Sequence, residues 1–347
     1  MDKMILNVCY FRIILKLLLY ISFMLSVSVQ GSIVLLNSSY DTARELFMVI
    51  NSSFIRYWKT DHPNDDVIIQ QSHSGSTKQA MTVLQGLRAD VVTYNQVTDV
   101  HILYDRGKLI PCNWQFRLPN NSSPFYSTIA FVVRKGNPKK IYDWDNLTSE
   151  DIKIVFPNPK TSGSGRYVYL AAWNVISSRV NNLKYQDIRS WMSKFLHNVL
   201  VFDIGSRSAT ATFVDQLRGD ILITFEAEAN IICEQHGREN YEIIIPEKNI
   251  LVEFPVTWID ANVGKHGTEA IAKSYLQYLY TEEAQKIFAD FYYRVHVPSI
   301  MKAYSNRFPD IELFRVEDQF SDWNTVMCVH FNRGGELDKL LAMRHNR

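Results

Sequence analysis

Cysteine is scarce in this chain, and neither sign of charge is in excess. There are four cysteines in 347 residues and no CxxC spacing, which excludes a zinc ribbon and a disulfide-dense scaffold. Lysine plus arginine number 37 against 36 aspartate plus glutamate, so no basic surplus points to nucleic acid. The nine histidines include no HExxH and no ligand-like cluster. No G-x-x-x-x-G-K-[ST] is present, so "SGSTKQ" does not read as a nucleotide loop. No G-x-S-x-G elbow surrounds Ser76 or Ser162, which argues against a serine hydrolase. Internal repeats and low-complexity blocks are absent. Long apolar runs are missing everywhere except near the N-terminus.

That exception is informative. Lys3, Arg12 and Lys16 precede "LLLYISFMLSVSV", and "QGS" follows. A basic start, a short apolar centre and small residues at the end read as a secretory signal peptide, with cleavage expected after Gly31. A membrane anchor is the competing reading, but the run is short for a full span. Removing residues 1–31 leaves 34 basic and 35 acidic residues, a formal charge of −1. The mature chain is expected to be exported, periplasmic and monomeric. Cys9 leaves with the signal. Cys112, Cys233 and Cys328 remain, an odd number read as structural, with no pairing fixed by the sequence.

What is present is one pattern used four times. An apolar strand feeds a Ser/Gly-rich turn, and the turn opens a helix. The first instance is "SIVLLNSSYDTARELFMVI", residues 32–50, where Asn37 to Asp41 read as the turn. The second is "DDVIIQQSHSGSTKQAMTVLQGL", with a strand at 66–69 and a turn at 72–76. The third is "IKIVFPNPKTSGSGRYVYLAAW", and the fourth "VLVFDIGSRSATATFVDQL". Apolar residues at helical spacing follow the turns. Helix N-termini carry unsatisfied N–H donors and a partial positive charge. A Ser or Gly before a single helix is ordinary capping. Four such turns, two early and two late, fit one shared anion site on the carboxyl edge of parallel sheets. The length suits two α/β lobes, 32–125 plus 258–347 and 126–257, joined by two crossing strands around a ligand cleft.

The segments "LLNSSYDTARELF", "QSHSGSTKQA", "ADVVTYNQVTDV", "LPNNSSPFYST", "VRKGNPKKIYDWDNL", "FPNPKTSGSGRY" and "ELFRVEDQF" resemble the periplasmic sulfate- and thiosulfate-binding proteins of bacterial ABC importers. "VTYNQVTDV" and "ITFEAE" are closer to the thiosulfate branch. The resemblance implies a two-lobed periplasmic-binding-protein fold. It also implies anion contacts from Asp41 and Ser76 in the first lobe and from Ser162, Gly163, Ser164 and Ser206 in the second. Positions 164 and 206 depart from the family, which commonly has Gly or Asn at the first and Ala or Gly at the second. Phe225 stands where the sulfate branch has a tryptophan indole. The implied partners are the permease and ATPase subunits of the importer, and no cofactor is implied.

The chemistry is consistent with that family. Sulfate and thiosulfate carry no proton near neutral pH, so they accept hydrogen bonds and donate none. A site of neutral amide and hydroxyl donors suits them, and bonds to an ion are the strong ones. Molybdate and phosphate are the alternative oxyanions; a protonated phosphate would also need an acceptor. The Asp41 carboxylate is expected to turn away from the anion, capping its helix or pairing with a cation. His73, Arg166 and Arg207 read either as a supporting layer that orients the donor peptides or as ordinary surface and capping groups.

Overall fold

The computed structural model describes residues 31–179 and 184–345. Residues 1–30 of the expected signal segment lie outside them. Two parallel-rich sheets organise the chain into two lobes. The first sheet orders Val256–Trp258, Val91–Thr93, Ile33–Tyr40 and Val67–Ser74. The second orders Val199–Asp203, Ile154–Pro157, Ile221–Phe225, Ile129–Arg134 and Tyr241–Ile244.

The four strands expected to feed turns each pair in parallel with at least one neighbour; Ile33–Tyr40 and Ile154–Pro157 are interior, and Val67–Ser74 and Val199–Asp203 are edges. The first two run further than the pattern suggested. Ile33–Tyr40 absorbs Asn37, Ser38 and Ser39, and Val67–Ser74 absorbs Ser72 and His73. Ile33–Tyr40 is flanked on both sides, so its small polar residues stay in the ladder and bond sideways. The Ser38 hydroxyl lies 3.0 Å from Tyr94 Oη, and the Ser39 hydroxyl donates to the Thr93 carbonyl at 3.1 Å. The turns themselves shrink to Asp41–Ala43 and Gly75.

The chain crosses between lobes twice, and the two crossings are tied together. Thr128 Oγ1 donates to the Ile250 carbonyl at 3.0 Å. The Asn249 amide brackets Ile129, accepting its N–H at 3.2 Å and donating to its carbonyl at 2.7 Å. Beside them, Phe125–Ser127 pairs antiparallel with Val252–Glu253 and Arg294–Val295. Phe254 packs against Phe125, Phe225 and Tyr293, with ring centroids 4.9, 5.6 and 5.2 Å away. A stiff aromatic joint therefore carries the backbone across.

The helix Gly163–Arg179 explains its unusual sequence. "YVYLAAW" is apolar on every side because the helix is buried among the second sheet, the helix Tyr185–His197 and the C-terminal segment. Helices Glu269–Tyr278 and Glu282–Asp290 pack on the first lobe. The helix Glu336–His345, within the 258–347 span assigned above to the first lobe, packs against Tyr185–His197 beside the second sheet. Arg189 forms an ion pair with Glu336 at 3.0 Å there. Cys112, Cys233 and Cys328 are unpaired.

Candidate functional site

The turns converge where the lobes meet. From the second lobe come the first residues of helices Gly163–Arg179 and Ser206–Val214. Their hydroxyls form a chain, with Ser162 Oγ 2.9 Å from Ser164 Oγ and Ser164 Oγ 2.8 Å from Ser206 Oγ. In each of these two contacts either hydroxyl can be the donor. Ser206 also counters the burial-driven rise of the Glu228 pKa.

From the first lobe come Ser76 and Asp41. Ser76 opens the helix Ser76–Leu84, and its hydroxyl donates to Asn95 Oδ1 at 2.5 Å. The Asn95 N–H returns a bond to the same oxygen at 3.2 Å. The lobes touch at glycine positions. A Cβ on Gly163 would lie 2.8 Å from Gln96 Cβ and 2.9 Å from Asn95 Oδ1, and one on Gly205 would lie 3.4 Å from Asp41 Oδ2. Ser76, Ser162, Ser164 and Ser206 are all buried.

The Asp41 carboxylate accepts the N–H of the next residue, Thr42, at 3.1 Å, and the turn Asp41–Ala43 carries no side-chain cap. It does not turn away from the cleft, since Oδ2 faces Gly205 across it. The side chain is too short to bond its own turn and leave. Burial raises the Asp41 pKa from its ordinary value, while backbone N–H groups and the Arg207 charge oppose that rise.

Arg166 and Arg207 act mainly across the lobes rather than within their own turns. Arg166 is buried, with its guanidinium 3.3 Å from Thr98 Oγ1, 3.4 Å from Asp99 Oδ1 and 3.3 Å from Thr77 Oγ1. Burial raises the Asp99 pKa from its ordinary value, and Arg166 works against that. Arg207 donates from Nε to the Asp41 carbonyl at 3.0 Å and reaches Glu45 at 3.3 Å. A third cross-lobe bond runs from Thr42 Oγ1 to Glu228 Oε1 at 2.7 Å.

His73 joins Gln71, whose Oε1 lies 2.5 Å from its Nε2, to the peptide before Asp41. Its Nδ1 lies 2.9 Å from the Tyr40 carbonyl, the carbonyl side of the peptide whose N–H belongs to Asp41. A carbonyl only accepts, so Nδ1 is the donor, and burial lowers the His73 pKa from its ordinary value.

Phe225 is wholly buried and set edge-on to Tyr167, 6.2 Å between centroids. The neighbouring Thr224 hydroxyl could have stood in for a missing indole donor. It donates instead to Glu228 Oε2 at 2.5 Å, so it is committed elsewhere.

The sequence reading missed Gln96, Asp99, Thr42 and Glu228. Asp99 and Glu228 sit within quoted segments, "VTYNQVTDV" and "ITFEAE". Their signal was an acidic residue in the first turn of a helix, which ordinarily means dipole pairing at the surface. Burial on the inter-lobe face is what makes them different.

Residues 42–294 match the model of a family described as bacterial extracellular solute-binding protein. Over 331 residues the chain is 55% identical to a thiosulfate-binding protein of Escherichia coli, covering 95% of this chain and 97% of that one. It is 43% identical over 308 residues to an E. coli sulfate-binding protein, covering 88% and 92%. Among solved structures, the sulfate-binding protein SubI from Mycobacterium tuberculosis superposes with a TM-score of 0.75 at 26% identity, covering 87% of this chain and all of that one. The described fold and these similarities agree, and the chain belongs to the bacterial extracellular solute-binding proteins.

Proposed function

We propose that the protein captures thiosulfate or sulfate in the inter-lobe cleft and hands it to the permease and ATPase of an ABC importer. It would work in the periplasm after its signal peptide is removed. One observation carries the ligand class. Two helix starts with three linked serine hydroxyls face first-lobe amide groups, while the nearby guanidinium groups of Arg166 and Arg207 are engaged by other partners. Such a site offers neutral donors to an anion that has no proton to give. Identity of 55% to a thiosulfate-binding protein supports the same class.

Ser76, Ser162, Gly163, Ser164, Ser206 and Asp41 are the contacts we assign, with Phe225 beside them. A hydrolytic reading gains nothing from the geometry, because no histidine among the described residues is bonded to these serine hydroxyls.

Calorimetric titration with thiosulfate, sulfate, phosphate and molybdate tests the proposal. The expected result is one sulfur oxyanion per chain, with the melting temperature rising with ligand concentration by mass action. No heat and no shift with millimolar thiosulfate or sulfate would refute it; tight binding of phosphate or molybdate alone would move the assignment to that oxyanion.

A further inference from the structure

Gln96 caps the helix Val97–Asp105 from an extended backbone, φ −156° and ψ 126°. It is wholly buried, and neither Nε2 nor Oε1 has a hydrogen-bond partner. A buried primary amide with both ends unbonded is uncommon, because it has left water without recovering a bond. Its position suggests what would satisfy it. Gln96 Cβ lies 2.8 Å, and Cγ 3.4 Å, from where a Cβ on Gly163 would be. The stem of Gln96 therefore rests against the first residue of the helix whose start is assigned to the anion. Its neighbour Asn95 is already committed, since its side-chain oxygen and its backbone N–H both bond Ser76.

We propose that the Gln96 amide is a ligand-contacting residue: its N–H2 donates to the bound oxyanion from the first lobe, opposite the Ser162–Ser164 turn. This rests on the cleft being an oxyanion site, as argued above. The side chain is neutral and long, so it adds a donor without fixing a counter-charge. It also couples binding to closure, because Gln96 meets Gly163 only when the lobes are together.

The test uses the mature protein and its Gln96→Leu and Gln96→Glu variants, titrated with thiosulfate and with sulfate. Leucine keeps most of the volume and removes the unbonded amide. The expected result for Gln96→Leu is about 10- to 100-fold weaker binding, the worth of one bond to a charged group. The melting temperature of the ligand-free protein should be unchanged or higher. A merely structural glutamine would lower that temperature instead. Gln96→Glu should fail to bind at pH 8, where the carboxylate cannot donate and repels the dianion. It should regain binding near pH 5 as the carboxyl protonates. Wild-type affinity in both variants overturns the proposal, as does a Gln96→Leu loss matched by lost stability in the free protein. A wild-type protein that binds neither anion overturns the oxyanion reading itself, and this inference with it.

Discussion

Glu228 is the residue on which the cleft's pH behaviour turns. Burial pushes its carboxyl up to about 7, with Thr224, Thr42 and Ser206 opposing and Asp41 adding to the rise. The other groups facing it are the Tyr40 and Tyr293 phenols, and Arg207 and Glu45 along the adjoining cavity of about 250 Å³. The Ser206 hydroxyl is among the groups that hold the Glu228 carboxyl down. An oxyanion that draws the Ser206 hydroxyl to itself removes that donor and brings a second negative charge close. Glu228 then has to hold a proton. Binding should take up a proton above pH 7, and affinity should fall by roughly tenfold per pH unit from there. The same sign holds for the free protein: a carboxyl raised in the folded state favours folding at low pH, and that contribution is lost as pH rises through about 7. Calorimetry in buffers of different ionisation heat would measure the uptake, and Glu228→Gln should abolish it. A wild-type protein with no proton uptake between pH 7 and 8.5 would rule this coupling out. None of this was legible in "ITFEAE", because Ser206 meets Ser164 only in the fold, across 42 residues of sequence.

At the scale of elements, the repeated strand–turn–helix pattern carried most of the information. It located the four strands, the helix starts and the carboxyl edge where they gather. It misjudged where strands end, because Ser38, Ser39 and Ser72 look like turn residues but bond sideways within the sheet or to its covering helix. The two glycines of "SGSGR" separate fold from function. A Cβ on Gly165 would sit 2.3 Å from the Pro157 carbonyl and 2.9 Å from Pro159 N, so it strains the turn within its own lobe. A Cβ on Gly163 meets Gln96 and Asn95 of the other lobe instead. Gly165→Ala should therefore lower the melting temperature of the ligand-free protein, by about 1–3 kcal/mol of overpacking. Gly163→Ala should leave the isolated turn sound and weaken anion binding by a similar energy, roughly one to two decades in dissociation constant. Thermal melts and titrations of both variants check the contrast. Equal effects on melting and binding for the two would mean that the inter-lobe contact at Gly163 does not govern binding.

For the whole molecule, the question is what holds the lobes together around an ion. Both crossings are pinned near Thr128 and Asn249, so motion is confined to a short joint. The opposing faces carry the clasp of Arg166 on Thr77, Thr98 and Asp99, with the weaker exposed reach of Arg207 to Glu45. The buried pair matters more, since surface pairs contribute about 0–1 kcal/mol. In an opened cleft Asp99 would regain water, so removing Arg166 penalises only the closed state, where a lone buried carboxylate costs about 3–5 kcal/mol. Protonating Asp99 escapes part of that penalty. Its pKa is already raised by burial, and losing the guanidinium raises it further. Arg166→Leu should thus close poorly at pH 8 and better at pH 5.5. With capture by one open lobe before closure, the association rate is expected to change little while dissociation accelerates. The apparent affinity falls with the fraction of closed molecules. Stopped-flow fluorescence at the two pH values separates these rates, and small-angle scattering with saturating thiosulfate reads the closure itself. Asp99→Asn combined with Arg166→Leu should recover part of the lost closure and lose its pH dependence. A single variant whose dissociation rate matches wild type at pH 8 would show that the clasp is incidental to holding the ion.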